Sequence, residues 1–167
     1  MSALEDITLA GSWFVSSAEL GHGVKNIIDG DITTYWQSKG EQPHVISVNF
    51  STKQMISSIR IYNSHALDST YSPLLVSILH SQDGQTYTEF KTFTIGEMND
   101  WYTVDTFRDN HPLSTFSLQF VIHEMHHNGK NTRIRQIKIL SPKVIPLKVT
   151  KVFNYSDALL QSQVSIR

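Results

Sequence analysis

The sequence predicts an all-β domain, an antiparallel β-sandwich of the jelly-roll type. Three observations support this fold class: short segments in which apolar and polar residues alternate, turn signals between those segments, and the composition. The 167 residues include 20 Ser and 14 Thr, and the charged fraction of 17% is low against a usual value of about 25%. Thr favours strands, and Ser favours turns and solvent-facing positions.

Alternation predicts strands over residues 45–50, 56–62, 75–80, 86–90, 101–104, 116–122 and 133–140. The first of them is representative, because Ile46, Val48 and Phe50 fall on one face. Asp83-Gly84 separates two of these segments and is a strong hairpin signal. Before residue 150, helical character is confined to a short stretch around residues 24–28. Seven or eight short strands at roughly regular spacing are typical of a sandwich or jelly roll.

Composition excludes several function classes. The chain has no cysteine, so it has no Cys nucleophile, Cys-ligated zinc or Cys-ligated iron–sulfur cluster. The formal net charge is −1, which predicts no nucleic-acid partner. No apolar run approaches the ~18 residues that span a membrane. Residues 1–6 lack the charged and apolar regions of a signal peptide. We therefore expect an intracellular protein with neither membrane nor nucleic-acid partners.

One metal-binding motif occurs, and its context argues against it. His123-Glu124-Met125-His126-His127 matches H-E-x-x-H, which binds zinc when it lies on a helix. Here it follows a strongly alternating segment and is ended by Asn128-Gly129. On a strand, residues i and i+4 are about 13 Å apart, too far to share one ion. We expect a strand that ends in a polar loop, without metal or cofactor. A zinc hydrolase built on His123, Glu124 and His127 is the hypothesis that this expectation opposes.

Two polar segments are candidate binding regions. Residues 26–38 contain an Asp-Gly turn, two adjacent aromatics and then polar residues. Trp36 is either a core residue or part of a site, since a large aromatic near a strand end is usually core. Residues 126–135 are dense in hydrogen-bond donors. They form either an ordinary polar hairpin or a binding loop at one end of the sandwich.

Three passages carry a resemblance to a known family. The first runs from Asp29-Gly30 through Thr34-Tyr35-Trp36-Gln37-Ser38 to Gln42-Pro43-His44. The second is His126-x-Asn128-Gly129-x-x-Thr132-x-x-Arg135-Gln136-Ile137-Lys138-Ile139, and the third is Ser165-Ile166-Arg167. The chain resembles the DOC-domain family, subunit 10 of the anaphase-promoting complex (the cyclosome). The resemblance implies a galactose-binding-like, discoidin-type jelly roll. It covers about residues 11–141 and resumes at the last three. We expect an N-terminal extension (1–10), the DOC domain (11–142) and a C-terminal tail (143–167).

The resemblance also implies a function. Members are non-catalytic subunits of a ubiquitin ligase that acts in mitosis, and the resemblance places this protein in the nucleus and cytoplasm. Their loops form a co-receptor for the destruction-box degron of substrates together with a WD40 coactivator. By position, the degron-facing residues are His126, Asn128, Gly129, Asn131, Thr132 and Arg135, with Tyr35, Trp36, Gln37 and Ser38 at the same end. The family often has Asp where this chain has Asn131.

Ile166 and Arg167 are implied to dock on a tetratricopeptide subunit of the complex. No cofactor and no metal is implied. The alternative that remains is a carbohydrate-binding jelly roll, which would depend on Trp36 or Arg135 and be indifferent to the tail.

Overall fold

The computed structural model describes residues 3–143. The predicted docking residues Ile166 and Arg167, and the tail apart from Lys143, lie outside the described residues. The strands are β1 Leu4–Asp6, β2 Gly11–Val15, β3 Trp36–Gln37, β4 His44–Ile56, β5 Ser58–Ser64, β6 Pro73–Ser81, β7 Thr88–Thr94, β8 Asn99–Asp105, β9 Phe107–Arg108, β10 His111–Met125, β11 Arg133–Ile134 and β12 Gln136–Pro142. The one-turn helix α1 is His65–Asp68, and 3-10 turns occupy Thr8–Ala10, Val24–Ile27, Ser69–Tyr71 and His126–Asn128.

Two antiparallel sheets form a sandwich, which confirms the predicted fold class. One sheet has the order β1-β12-β5-β8, and the other has the order β2-β4-β10-β6-β7, with β9 paired to β10. Every strand pair is antiparallel. Ile59 and Ile139 of the first sheet belong to the same buried cluster as Val48 and Phe120 of the second. The core therefore lies between the sheets, and the connections gather at the two ends.

The predicted faces and turn are confirmed in detail. In β4, Ile46, Val48 and Phe50 are buried on one face, although the strand is longer than predicted. Asp83-Gly84 lies in the connection of the β6–β7 hairpin. Its carboxylate accepts hydrogen bonds from the backbone N–H groups of Gln85 and Thr86, at 2.8 and 2.7 Å. The returning strand begins at Thr88 rather than at Thr86, because this turn uses Thr86 N–H.

One predicted strand is wrong in detail. The segment over residues 133–140 is not continuous, because it breaks at Arg135 into β11 and β12. Strand β11 pairs with β3, whereas β12 pairs with β5. The Arg135 side chain turns inward to a buried carboxylate, and this change of direction separates the two strands.

The predicted N-terminal extension over residues 1–10 includes β1, an edge strand paired with β12 from Leu4↔Pro142 to Asp6↔Leu140. The backbone N–H of Ile7 then donates to the carbonyl of Ile139 at 2.9 Å. Sequence analysis did not predict this strand, because three residues are too few to show a period. In the described part of the chain, no helix has the length and apolar character that crossing a bilayer requires.

Candidate functional site

Three segments that are distant in sequence meet at one end of the sandwich, called here the loop end: residues 35–44, 65–72 and 126–135. Gln42 Nε2 donates to the carbonyl of Gly129 at 3.1 Å. Thr132 Oγ1 donates to the carbonyl of Tyr71 at 3.1 Å. Strand β11 also pairs with β3, with Arg133 opposite Gln37. The two passages that carry the resemblance are therefore in direct contact.

A tight turn after β10 projects from the loop end. His127 and Asn128 both have left-handed backbone angles, with φ of 55° and 58°, and both side chains are exposed. Asn tolerates this conformation better than most residues. Gly129 then passes directly over the 65–72 segment. A Cβ at this position would lie 1.7 Å from the carbonyl oxygen of Thr70, so glycine is required by close approach.

The turn borders an open groove of about 520 Å³. Its lining combines polar groups on the rim with apolar groups at the base: Gln42, Leu74, Glu124, Met125, His127, Asn128, Gly129 and Lys130. Asn128 can both donate and accept hydrogen bonds through its amide, and Lys130 carries a positive charge. The groove is thus suited to an extended peptide or another polar ligand.

Behind the groove, a buried network holds the loop. The backbone N–H of Ser38 donates to the carbonyl of Thr132 at 3.0 Å, and Thr132 N–H donates to Ser38 Oγ at 2.9 Å. Ser38 Oγ in turn donates to Asn131 Oδ1 at 3.1 Å, and Gly40 N–H donates to the same oxygen at 3.3 Å. Ser38 and Thr132 are fully buried. Their polar groups are therefore satisfied internally, and they position the loop without facing a ligand.

The aromatic pair of the first passage divides into a core residue and a stacking residue. Trp36 is fully buried, and its Nε1 donates to the carbonyl of Ser17 at 2.9 Å, so the core interpretation of Trp36 is confirmed. Tyr35 is half-buried. The guanidinium carbon of Arg133 lies 4.4 Å from the Tyr35 ring centroid and 4.1 Å from that of Tyr71. Arg133 is thus sandwiched between two rings, and its Nε donates to Gln37 Oε1 at 2.9 Å.

Arg135 is buried in an ion pair with Asp68. Its Nε and Nη2 donate to the two carboxylate oxygens at 3.0 and 2.8 Å. Its Nη1 donates to the carbonyls of Ile32 and Thr33 at 2.9 and 3.3 Å. The hydrogen bonds from the guanidinium to Asp68 raise the pKa of Arg135. Arg135 therefore ties the 29–34 turn to helix α1 through groups that are already satisfied.

The histidines of the H-E-x-x-H motif have separate environments. His123 Nε2 lies 2.9 Å from Ser77 Oγ on the neighbouring strand. His126 is buried, and its Nε2 donates to the carbonyl of Ile95 at 2.8 Å. His127 faces Glu97, with 3.7 Å between its Nε2 and Oε1. In residues 3–143, the group of potential metal ligands that includes a motif residue is His65, Glu97 and His127, which is not the zinc-hydrolase set.

The Asp29-Gly30-Asp31 segment forms a hydrogen-bonded turn with Gly30 at φ 78°. Thr33 donates to Asp31 Oδ1 from both its hydroxyl and its backbone N–H, at 2.6 and 2.8 Å. These bonds lower the pKa of Asp31. Both Asp carboxylates accept protein donors, as expected of a structural turn.

Of the ten predicted site residues, Asn128 alone is fully exposed. Tyr35, Gln37, Gly129 and Asn131 are half-buried, whereas Trp36, Ser38, His126, Thr132 and Arg135 are buried. The sequence analysis singled out neither Asp68, which fixes Arg135, nor Glu97. Both acidic residues lie in stretches without a local pattern, so no signal in the sequence indicates them.

Comparison with known proteins places this arrangement in a family. The family model described as "Anaphase-promoting complex, subunit 10 (APC10)" matches residues 1–165. Anaphase-promoting complex subunit 10 of Mus musculus is 32% identical over 143 residues, which cover 84% of this chain and 77% of the mouse protein. That of Drosophila melanogaster is 33% identical over 149 residues, which cover 87% and 76%. That of Schizosaccharomyces pombe is 31% identical over 141 residues, which cover 83% and 75%.

Solved structures with a similar fold are carbohydrate-binding modules. The family 32 module of Clostridium perfringens NanJ in complex with galactose superposes with a TM-score of 0.68 at 20% identity, covering 83% of this chain and 100% of the module. A second family 32 module of that organism, in complex with GalNAc-β-1,3-galactose, has a TM-score of 0.69 at 14% identity, covering 81% and 99%. At this identity the likeness establishes the galactose-binding-like jelly-roll fold and nothing about the ligand.

Proposed function

Because the chain belongs to the family of anaphase-promoting complex subunit 10, we propose that it is a non-catalytic substrate-recognition and processivity subunit of that ubiquitin ligase. In this proposal the loop end is a co-receptor for the destruction-box degron, shared with a WD40 coactivator. Catalysis belongs to other subunits, and this chain prolongs the time that a substrate stays bound.

The exposed turn at Asn128 is the observation that carries the proposal. It supplies an amide at the rim of a groove, next to the charged Lys130 and the amide of Gln42. An extended peptide offers backbone N–H and carbonyl groups, which such side chains can pair. The buried network behind the turn limits the entropy lost on binding, because the loop is already ordered. One such site is weak alone, and sharing the degron with a coactivator raises its effective concentration.

The buried residues that the resemblance implied take a different role in this proposal. Ser38, Thr132 and Arg135 shape the loop end from within, whereas Asn128, Lys130 and Gln42 contact the degron. The carbohydrate alternative loses support, because Trp36 is fully buried and Arg135 is bonded to Asp68. Neither can stack on or bind a sugar without the loop end rearranging.

We further propose that Ile166-Arg167 anchors the chain to a tetratricopeptide subunit, and that the protein acts in the nucleus and cytoplasm. Arg167 offers a guanidinium fork and Ile166 an apolar plug, a combination suited to a groove between helical repeats. A labelled peptide of residues 156–167 would be titrated with the tetratricopeptide subunit by fluorescence anisotropy. Saturable binding that disappears without Ile166 and Arg167 supports the anchor, and binding indifferent to this truncation argues against it.

The degron proposal is tested by Asn128→Gly in the reconstituted ligase. Glycine accepts the left-handed backbone and removes the amide, so the variant isolates the side chain. We expect the number of ubiquitins added per binding event to fall about 3- to 10-fold, which corresponds to the loss of one or two hydrogen bonds. Incorporation into the complex should be unchanged.

The matched control is Asn110→Gly. Asn110 is also exposed and left-handed, with φ of 64°, but it precedes the opposite end of β10. This variant should behave as the unmodified protein. Equal processivity in both variants would count against the degron role of the loop end.

A further inference from the structure

We propose that His65, Glu97 and His127 form a binding site for one divalent transition-metal ion with the coordination preferences of Zn²⁺. The three residues come from separate segments: the start of α1, the β7–β8 connection and the turn after β10. Their potential ligand atoms all lie within 4.8 Å of one another. Glu97 Oε1 is 3.8 Å from His65 Nε2 and 3.7 Å from His127 Nε2.

These separations are close to those of a bound ion. Two ligands on a tetrahedral zinc, each at about 2.0–2.1 Å, are about 3.4 Å apart. The two His–Glu distances exceed that value by only a few tenths of an ångström. The side chains of His127 and Glu97 are 55% and 59% exposed, so small rotations can complete the geometry without disturbing the core.

The hydrogen bonds around His65 prepare it as a ligand, independently of those distances. Ser72 Oγ donates its single hydrogen to the carbonyl of Ser69 at 2.7 Å. The same oxygen lies 2.8 Å from His65 Nδ1, so it must accept a hydrogen bond from Nδ1–H. The neutral imidazole therefore carries its lone pair on Nε2, the atom that faces Glu97. A partner that fixes the tautomer in this way is the usual second layer of a metal-binding histidine.

Packing holds His65 in this orientation. Its side chain is 16% exposed, and the His126 ring lies edge-on against it, with 4.8 Å between centroids. His126 is not a ligand, because its Nε2 donates to the carbonyl of Ile95. One ordered histidine, one exposed histidine and one carboxylate make the His₂Glu set of a three-ligand zinc site. A bound ion would tie the turn that carries Asn128 to two other segments of the loop end.

The test is isothermal titration of the full chain, prepared without a polyhistidine tag, with ZnCl₂ at pH 7.5. We expect one ion per chain. Glu97→Gln and His127→Asn should each weaken binding at least tenfold, and Ser72→Ala should weaken it about 10- to 100-fold by releasing the His65 tautomer. His127→Asn suits the left-handed backbone, and circular dichroism would verify that each variant folds.

His111→Asn is the matched control, because His111 is exposed at the opposite end of β10. It should bind as the unmodified protein does. Cobalt(II) added to the unmodified chain should give the intense visible bands of a tetrahedral site, and Glu97→Gln should abolish them. Binding of less than one ion, or binding equally strong in Glu97→Gln, His127→Asn and His111→Asn, would overturn the proposal. The readouts involve no substrate, so they are independent of the degron proposal.

Discussion

Arg135 and Asp68 form a buried two-point ion pair at the loop end, with side chains that are 5% and 2% exposed. The pair joins β11–β12 to helix α1, and Arg135 also holds the carbonyls of Ile32 and Thr33. The sequence analysis assigned Arg135 to the degron-facing set. The pair instead makes Arg135 a positioning residue, because its donors are already used inside the protein.

Breaking this pair should destabilise the whole domain. We expect Asp68→Asn and Arg135→Met each to lower the free energy of unfolding by about 3–5 kcal/mol, because each leaves a buried polar or charged group without its partner. The double variant should lose less than the sum of the two, since the residual charge is gone. Urea denaturation measures all three. Additive losses would show that the two side chains act independently.

Gly129→Ala should displace the Asn128 turn. The added methyl group would meet the Thr70 carbonyl oxygen, and relief of such an overlap costs about 1–3 kcal/mol. Thermal unfolding and amide NMR shifts of residues 126–132 would report the change. Gly96→Ala is the matched control, because nothing lies within 4 Å of a Cβ there. A Gly129→Ala protein as stable as Gly96→Ala would contradict the close approach.

Asn131 should be replaceable by Asp at little cost. Its Oδ1 accepts from Ser38 Oγ and Gly40 N–H, and a carboxylate oxygen accepts the same two bonds. We expect Asn131→Asp to change the unfolding free energy by less than about 0.5 kcal/mol, and Asn131→Ala to lower it by about 1–3 kcal/mol. A larger loss in Asn131→Asp than in Asn131→Ala would mean that a negative charge is not tolerated there.

His80 should make stability depend on pH near neutrality. Burial, and then the positive charge of Arg108, hold the pKa of His80 below its usual value of 6.5. The unfolded chain therefore binds more protons between the two pKa values. Stability contributed by the neutral imidazole is complete above pH 6.5 and declines as the pH falls below it. His80→Gln should flatten the dependence of unfolding free energy on pH between 5 and 7.5.

Two controls separate this effect from other titrations. The pKa values of Asp83 and Asp31 are held below the usual carboxylate range by hydrogen bonds from Thr86 and Thr33, so these groups stay ionised throughout that window. His111→Gln changes an exposed histidine and should keep the slope of the unmodified protein. Equal slopes for His80→Gln and His111→Gln would rule out a role for His80.

Much of the sheet structure could be predicted from local pattern. In β4 and β12 the alternation identified the buried positions, because side chains of a strand point to opposite faces with a period of two. Asp83-Gly84 identified its hairpin for a similarly local reason. Strands β1, β3 and β11 could not be predicted, because two or three residues carry no measurable period and are held by partners distant in sequence.

The candidate site shows the same division. The sequence by itself determined the fold class, the family and the position of the exposed Asn128 turn, all of which depend on local pattern or on contiguous motifs. Tertiary structure alone decided that Arg135 bonds Asp68, 67 residues away, and that His127 meets His65 and Glu97 rather than His123. Burial and ion pairing depend on which segments the fold brings together, and that information is not contained in the spacing of any one segment.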